Sequence, residues 1–508
     1  MRPVRRVPRA AVLAALLALA RPANGQAVDP FYNLVPVVPA GLTTPRAMTF
    51  TPDGRILVSE RTTGRIRVVK NGTLLEQPFA DVPVNAAGDR GALGLATAPD
   101  FATSHRVYLL YARSNTGGDT ATPSALVDLR IVSFLANGDT ALAGSETLVR
   151  SFALDPLLTT HIGGALRFGP EGALYLGLGD ADAVPSPALG LDALPGKVLR
   201  LDANGAPWPT NRYAIDSDPA TLPEIFAYGF HDPAYMSVYL YNDPGPPKVV
   251  LTDAGAGGDD EIDEVLSGRN YGWPIVHGKV DTPAESAYVG TLLNYGPTTW
   301  TSGAGAVQPT GIAAAFEETS TLPFPAVYWG QALPAGGPCA VEVGYDAFLL
   351  PGLPVVGDFG TGFPPVTDVS FPIWQPMSAL PLFDALYILA GSALWKVTPN
   401  QANAVLPGPP PGPGAQLAHA GPNPSRGDAA IACALEGDAH ARLDVYDLAG
   451  RHVRALGPVG PGTTIVRWDG LDESARRASA GLYVARLERS DGAGAGAALR
   501  IVRLSGLR

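Results

Sequence analysis

His161 and Asp180 are a histidine and a carboxylate that could act together as a base and its partner. Apolar runs on either side of Gly-Pro-Glu-Gly at 169–172 predict a β-hairpin. A register that pairs Phe168 with Ala173 across the turn also pairs His161 with Asp180. A carboxylate that fixes one imidazole nitrogen leaves the other free to take a proton. The pattern therefore predicts acid–base chemistry at the open end of the hairpin, and an ordinary strand pair with a polar end is the alternative.

Several short motifs occur before and after this hairpin, and their order along the chain is informative. They are Gly41-Leu42-Thr43-Thr44-Pro45-Arg46, Pro52-Asp53-Gly54-Arg55, Pro99-Asp100-Phe101, Gly196-Lys197-Val198-Leu199-Arg200, Asp260-Glu261-Ile262 and Asn270-Tyr271-Gly272-Trp273-Pro274. From about Gly41 to about Pro399 the chain resembles the PQQ-dependent soluble glucose dehydrogenases and their glucose/sorbosone dehydrogenase relatives. The resemblance implies a six-bladed β-propeller whose active site lies at the top of the channel.

The resemblance also implies roles for the first two residues. His161 would take the proton from a sugar hydroxyl while hydride passes to PQQ, and Asp180 would orient His161. Electrons would then leave to an external acceptor. The sequence therefore predicts an exported sugar (aldose) dehydrogenase-like protein, and a structural histidine in a degenerate site is the alternative.

Calcium is the second cofactor that the sequence predicts. Carboxylates cluster beside glycines at residues 259–261, and hard oxygen ligands suit calcium. By resemblance, Glu261 and the carbonyl of Tyr271 occupy the calcium-binding positions. An acidic solvated loop is the alternative.

The cofactor-binding positions depart from the family pattern. The resemblance places Asp89, or its neighbour Arg90, at a cofactor-binding glutamine, and His231 and Asp232 at an Arg-Asn pair. No lysine or arginine occurs from 280 to 395. Because PQQ carries three carboxylates, few cations predict weak, salt-sensitive binding. The alternative function is therefore a catalytically degenerate propeller that binds a glycan or a protein.

Composition predicts an all-β chain. The sequence has 59 glycines, 50 prolines and 16% charged residues among 508, and no long helical periodicity stands out. Strand–turn–strand units recur, as at 48–58 and 166–175, which favours a propeller over residues 28–398.

The first 27 residues have the pattern of a secretory signal peptide, with arginines followed by an apolar run and small residues. That run is too short to span a membrane comfortably. We therefore expect an exported protein in the periplasm, at the cell surface or outside the cell. The formal net charge of −11 argues against nucleic acid as a partner.

A Pro/Gly-rich stretch at 399–415 predicts an extended linker. Residues 416–508 alternate apolar and polar positions and predict a small β-sandwich. This region resembles the immunoglobulin-like domains of the flagellar hook-capping protein and the sorting domains of type IX secretion, which implies secretion machinery as a partner; a spacer is the alternative. Cys339 and Cys433 are expected to be free or buried thiols.

Overall fold

The computed structural model describes most of the chain up to residue 276 and separate strands beyond it. The described residues are 26–28, 32–215, 218–239, 247–255, 260–276, 293–294, 308–315, 326–332, 339–345, 355–372, 385–399, 415–419, 429–435, 440–447, 452–478, 481–489 and 497–503. The predicted signal peptide, apart from its last two residues, and nearly all of the predicted linker lie outside them.

Antiparallel strands dominate the described residues, as the composition predicts. Two strands precede the first sheet: β1 (Ala27–Val28) and β2 (Tyr32–Val38). The first sheet contains β3 (Pro45–Phe50), β4 (Ile56–Glu60), β5 (Arg65–Lys70), β6 (Thr73–Leu74) and β7 (Ala80–Asp81). The second contains β8 (Ala92–Thr97), β9 (Arg106–Ser114), β10 (Leu126–Asn137), β11 (Thr140–Ala141) and β12 (Thr147–Phe152).

The third and fourth sheets have four strands each. The third contains β13 (Gly163–Phe168), β14 (Leu174–Leu178), β15 (Lys197–Leu201) and β16 (Ile225–Tyr228). The fourth contains β17 (Pro233–Tyr239), β18 (Lys248–Asp253), β19 (Glu261–Val265) and β20 (Leu293–Asn294). The described helices are single turns, α1 (Phe101–Ser104) and α2 (Arg212–Ile215).

The fifth and sixth sheets each include an N-terminal strand. The fifth contains β21 (Gln308–Ala315), β22 (Ala326–Ala332), β23 (Cys339–Tyr345) and β24 (Val355–Phe363), and β1 pairs with β24. The sixth contains β25 (Val366–Ser370), β26 (Leu386–Ala390) and β27 (Ala393–Pro399), and β2 pairs with β27. The start of the chain thus completes the last sheet.

Hydrophobic clusters join each of these sheets to the next and the sixth to the first. Representative pairs of cluster members, taken in order around the ring, are Leu57 with Leu109, Leu110 with Leu176, Val198 with Leu251, Val250 with Trp329, Tyr328 with Ile388, and Leu389 with Val58. Sheets that pack face to face in a closed cycle form a β-propeller. The predicted propeller class agrees with this arrangement.

The C-terminal region forms two further antiparallel sheets. One contains β28 (Ala415–His419), β29 (Ala429–Leu435) and β32 (Gly462–Trp468), and the other contains β30 (Ala441–Asp447), β31 (His452–Val459), β33 (Gly481–Arg489) and β34 (Ala497–Arg503). Leu417, Ile431, Leu443 and Trp468 belong to one buried cluster that both sheets share. Two sheets around one apolar core agree with the expectation of a small all-β unit.

Both cysteines are free and buried, which confirms that expectation. Among the described residues, no helix is long and apolar enough to cross a membrane.

Candidate active site

The hairpin β13–β14 has a register one residue away from the predicted one near its turn. Phe168 pairs with Leu174 rather than with Ala173. An irregularity between Gly163 and Leu166 then shifts the pairing, so that Gly163 lies opposite Leu178. This β-bulge restores the predicted register at the open end, because an extra residue on one strand offsets the slip at the turn.

The backbone at His161 is tightly held and left-handed. Its φ is +49°, a conformation that costs free energy for a residue with a side chain. The amide of Ala181 donates to the His161 carbonyl at 3.0 Å. A Cβ at Gly179 would lie 1.9 Å from that same carbonyl oxygen, so only glycine fits there. The glycine beside Asp180 therefore lets the two chain segments meet at the histidine.

The ring of His161 has one bound nitrogen and one free nitrogen. Nδ1 lies 2.8 Å from Oδ2 of Asp182, and the Thr160 hydroxyl donates to the same oxygen at 2.6 Å. Nε2 has no hydrogen-bond partner among the described residues, and the side chain is 31% exposed. Because the carboxylate accepts a hydrogen bond from Nδ1–H, the lone pair of a neutral ring lies on Nε2.

Asp180 lies beside the histidine but does not bind its ring, so the structure corrects its expected role. Its carboxylate accepts bonds from Trp273 Nε1 at 2.6 Å, from the Ser186 hydroxyl at 2.6 Å and from the Asp182 amide at 2.9 Å. The predicted register does bring Asp180 to the level of His161. The strand ends at Leu178, however, and Ala181 and Asp182 have left-handed backbone conformations, so a turn rather than the strand pleat determines that Asp182 reaches the ring. Asp180 holds the loop that carries Asp182.

Asp89 and Asp232, two of the predicted cofactor-binding residues, hold the backbone around the histidine. Asp89 Oδ2 accepts from the His161 amide at 3.0 Å, and Asp232 Oδ1 accepts from the Gly163 amide at 2.7 Å. The two carboxylates thus fix the chain on both sides of residue 162.

His231, another predicted cofactor-binding residue, shares the Asp182 carboxylate with His161. Its Nε2 lies 3.1 Å from Asp182 Oδ1, and its Nδ1 lies 2.5 Å from the carbonyl of Ala254. The ring is 2% exposed and packs against Trp273, with centroids 4.1 Å apart. Position and orientation of this imidazole are therefore fixed from three directions.

The charges of the site shift the pKa values of its members in opposite directions. Burial acts to lower the pKa of His161, but Asp232, Asp182 and Asp89 outweigh it and the pKa is raised. Burial acts to raise the pKa of Asp182, but bonds from Thr160, His231 and His161 lower it to about 2. Burial also raises the pKa of Asp232. Asp182 therefore stays ionised over the range in which the histidine titrates.

Arg90, the remaining cofactor candidate, is fully buried in a loop. Its two terminal nitrogens donate to four backbone carbonyls, those of Pro123, Asp155, Pro156 and Leu158. The guanidinium stabilises the loops around it, and this arrangement leaves little of its charge for an external anion.

The predicted calcium residues lie on and after β19. Glu261 pairs with Asp253 of β18 and with Asn294 of β20. The Tyr271 side chain is buried, stacks on Phe230, and donates its hydroxyl proton to the Glu264 carbonyl. Both residues are placed by sheet pairing and packing, and the calcium itself stays a prediction.

Asp182 and Trp273 are the site residues that sequence reasoning missed. Asp182 follows Asp180 by two positions. This second aspartate just after the strand was the sequence signal that could have identified it. Trp273 stands in a motif that the resemblance supplied, but its contact with Asp180 spans 93 positions and carries no local signal.

The chain belongs to the glucose/sorbosone dehydrogenase family, whose model matches residues 42–312. The aldose sugar dehydrogenase YliI of Escherichia coli is 33% identical over 244 residues, which are 47% of this chain and 62% of that protein. Quinoprotein glucose dehydrogenase B of Acinetobacter calcoaceticus is 29% identical over 267 residues, 48% of this chain and 53% of that protein. The match thus spans less than two thirds of each of these relatives.

A solved structure supports the propeller class. The soluble aldose sugar dehydrogenase of Escherichia coli, in its apo form, has a TM-score of 0.55 and 25% identity, over 73% of this chain and all of that one. The chain is also similar to a protein whose name refers to interaction rather than oxidation. Hedgehog-interacting protein of Mus musculus is 25% identical over 259 residues, 46% of this chain and 36% of that protein.

Proposed function

We propose that this protein is an exported sugar dehydrogenase-like oxidoreductase in which His161 is the base toward a sugar hydroxyl. The observation that carries the proposal is the ring of His161, whose Nδ1 is bound by Asp182 and whose side chain is 31% exposed. This polarity suits proton removal from an alcohol, because the carboxylate stabilises the imidazolium that forms. Family membership and the sugar dehydrogenases among its relatives support the reaction class.

The six sheets that follow one another in a closed cycle are, in this proposal, the six blades of the propeller. His161 lies just before β13, the first strand of the third sheet, and His231 lies just before β17, the first strand of the fourth. Corresponding ends of first strands gather at one end of a propeller channel. A sugar would therefore enter at that end.

PQQ is the acceptor that the family resemblance implies, and the described residues do not fit it as they stand. The polar groups around His161 in this part of the chain are mainly carboxylates: Asp89, Asp180, Asp182 and Asp232. Arg90 is engaged by backbone carbonyls. Arg46, whose Nη2 would lie 3.5 Å from a Cβ at Gly164, and Arg61, which interacts electrostatically with Asp89, are cations near these groups. Two guanidinium groups offset only part of the charge of a trianion placed beside four carboxylates.

The second candidate is a binding propeller without catalysis, and the acidic character of the site favours it. Hydroxyl-rich glycans and basic protein segments both suit a channel mouth lined with carboxylates. For either function, we also propose that a calcium ion binds at Glu261 and Tyr271. The C-terminal sheets would have a role in export.

Reconstitution with PQQ and calcium tests the proposal. We expect weak, salt-sensitive PQQ binding, slow sugar-dependent dye reduction, and loss of that reduction in His161→Gln but not in His105→Gln, an exposed histidine of the second sheet's loop. Nanomolar PQQ binding with rapid glucose oxidation would show that the acidic site had been misjudged. No PQQ binding at micromolar cofactor, with retained glycan binding, would favour the second candidate.

A further inference from the structure

Three potential metal ligands converge at the candidate active site. They are two histidines, which approach Asp182 through Nδ1 of His161 and Nε2 of His231, and the Asp182 carboxylate itself; one ligand atom from each residue lies within 4.8 Å of the other two. The two nitrogens lie 2.8 and 3.1 Å from different oxygens of Asp182. Ligand atoms bound to zinc at about 2.0–2.1 Å in a tetrahedron are roughly 3.3 Å apart. Small side-chain adjustments would therefore admit a cation.

The hydrogen bonds of His231 give an independent reason for a cation. A backbone carbonyl only accepts, so Nδ1, 2.5 Å from the Ala254 carbonyl, carries a proton. Nε2 then faces the Asp182 carboxylate, which also only accepts at neutral pH. A metal ion between Nε2 and the carboxylate would give both of these groups a partner.

The surroundings match the outer shell of a metal site. A ligating histidine usually donates its second ring N–H to a carbonyl or a carboxylate, and ligating carboxylates are themselves hydrogen-bonded. His231 makes the first kind of bond, to Ala254, and Asp182 makes the second, from Thr160. Trp273 packs on the His231 ring and restrains its rotation.

We propose that His161, His231 and Asp182 form a site for a zinc-like divalent cation, with further positions open to water or substrate. Two imidazoles and one carboxylate suit zinc and its transition-metal neighbours, whereas calcium prefers oxygen ligands. The nearby carboxylate of Asp180, 3.8 Å from His231 Nε2, adds negative charge that favours a cation over a neutral ligand. The proposal is independent of sugar oxidation.

The site has a consequence for His161. A metal ion on Nδ1 leaves the proton of the neutral ring on Nε2, and Nε2 is then no longer a base. If the protein oxidises sugars, zinc should therefore inhibit it.

Calorimetric titration of the metal-free full-length protein with zinc, in calcium-containing buffer, tests the proposal. We expect one zinc ion per chain, and binding at least about 100-fold weaker in His231→Gln and in Asp182→Asn, since even outer-shell losses cost 10–100-fold. Cobalt should give the absorption bands of a low-symmetry nitrogen and oxygen site. His452→Gln is the matched control, because His452 also binds an aspartate, Asp444, and no second histidine joins them in a metal-binding group among the described residues.

His161→Gln provides a second ligand variant at a more exposed position, and circular dichroism checks that each variant folds. Unchanged zinc affinity in a folded His161→Gln or His231→Gln protein would overturn the proposal. So would the absence of zinc binding by the wild type, or a site lost in His452→Gln.

Discussion

The imidazoles of His161 and His231 lie with their centroids 4.1 Å apart and their planes tilted by 42°, and they bind different oxygens of one carboxylate, that of Asp182. The segments that lead into the third and fourth sheets thus contribute one histidine each to a single acceptor. A ligand that binds one imidazole therefore changes the electrostatic environment of the other, because both contact the Asp182 carboxylate.

Asp182→Asn should lower the pKa of His161 in metal-free protein. The amide keeps the shape of the carboxylate but removes the charge that, with Asp232 and Asp89, holds the histidine pKa above its usual value. NMR titration of the His161 ring in EDTA measures the change. The same titration in Asp139→Asn, at an exposed ion pair with Lys70, is the control. An unshifted His161 would show that Asp182 does not stabilise the imidazolium.

Gly179→Ala should destabilise the propeller by about 1–3 kcal/mol or more, as overpacking does. The new Cβ would lie 1.9 Å from the His161 carbonyl oxygen, and the hairpin would have to open. Gly118→Ala is the control, since its Cβ would meet nothing within 4 Å. Thermal unfolding compares the two, and equal melting temperatures would contradict the close approach.

Acid should remove the stabilising effect of Asp53 in the first sheet. Burial acts to raise the pKa of Asp53, but Arg55 and Thr51 lower it from 3.8 to about 2. A lowered folded-state pKa stabilises the protein above about pH 4, and this stabilisation is lost as the pH falls toward 2. Because the carboxylate is largely exposed, the effect should stay below about 1 kcal/mol.

The measurement is the melting temperature of wild type and Asp53→Asn at neutral pH and near pH 2. The wild type should be the more stable at neutral pH, and the difference should vanish in acid. Glu76→Gln corrects for the loss of one surface charge. A difference that is the same at both pH values would mean that the Asp53–Arg55 pair does not titrate as described.

Calcium should raise the melting temperature and EDTA should lower it, because a ligand that binds the folded state stabilises it. Glu261→Ala should abolish both effects. Glu264→Ala, on the same strand and paired with Lys248, is the control. If wild type and Glu261→Ala respond alike, the calcium site lies elsewhere or does not exist.

Restoring the family residues should strengthen PQQ binding. His231→Arg with Asp232→Asn exchanges an acid and an imidazole for a permanent cation and a neutral amide, and charge-assisted bonds contribute roughly 1.5–3 kcal/mol each. Fluorescence titration with PQQ at low and high salt measures the gain. If the double variant folds and binds PQQ no better than wild type, the shape of the pocket rather than its charge limits PQQ binding.

Local sequence signals predicted the strands well, because alternation, turns and glycines act over a few residues. The turn at 169–172 forms a hairpin, although its register slips by one and a bulge corrects it. Asp182 was missed because strand alternation cannot describe the turn beyond a strand end. The pairing of His161 with His231 joins separate sheets, and such contacts depend on how the sheets pack rather than on spacing.

The resemblance assigned Asp89, His231 and Asp232 to a cofactor by position. In the structure their bonds go to the chain itself, to the amides of His161 and Gly163 and to the carbonyl of Ala254. A position in a motif does not reveal whether a side chain faces inward or toward a ligand. These bonds follow from the packing of the sheets and carry no signal in the local sequence.

The pairing of β2 with β27 joins residues separated by more than 350 positions in the chain. During synthesis, the backbone N–H and C=O groups of β2 remain unpaired until β27 has been made. Because β27 ends at Pro399, nearly all of the propeller has been synthesised by then. Sheet edges left in this state readily pair with other chains. Until β27 has been synthesised, the unpaired edge of β2 can therefore pair with another copy of the chain. The two C-terminal sheets are synthesised only after β27.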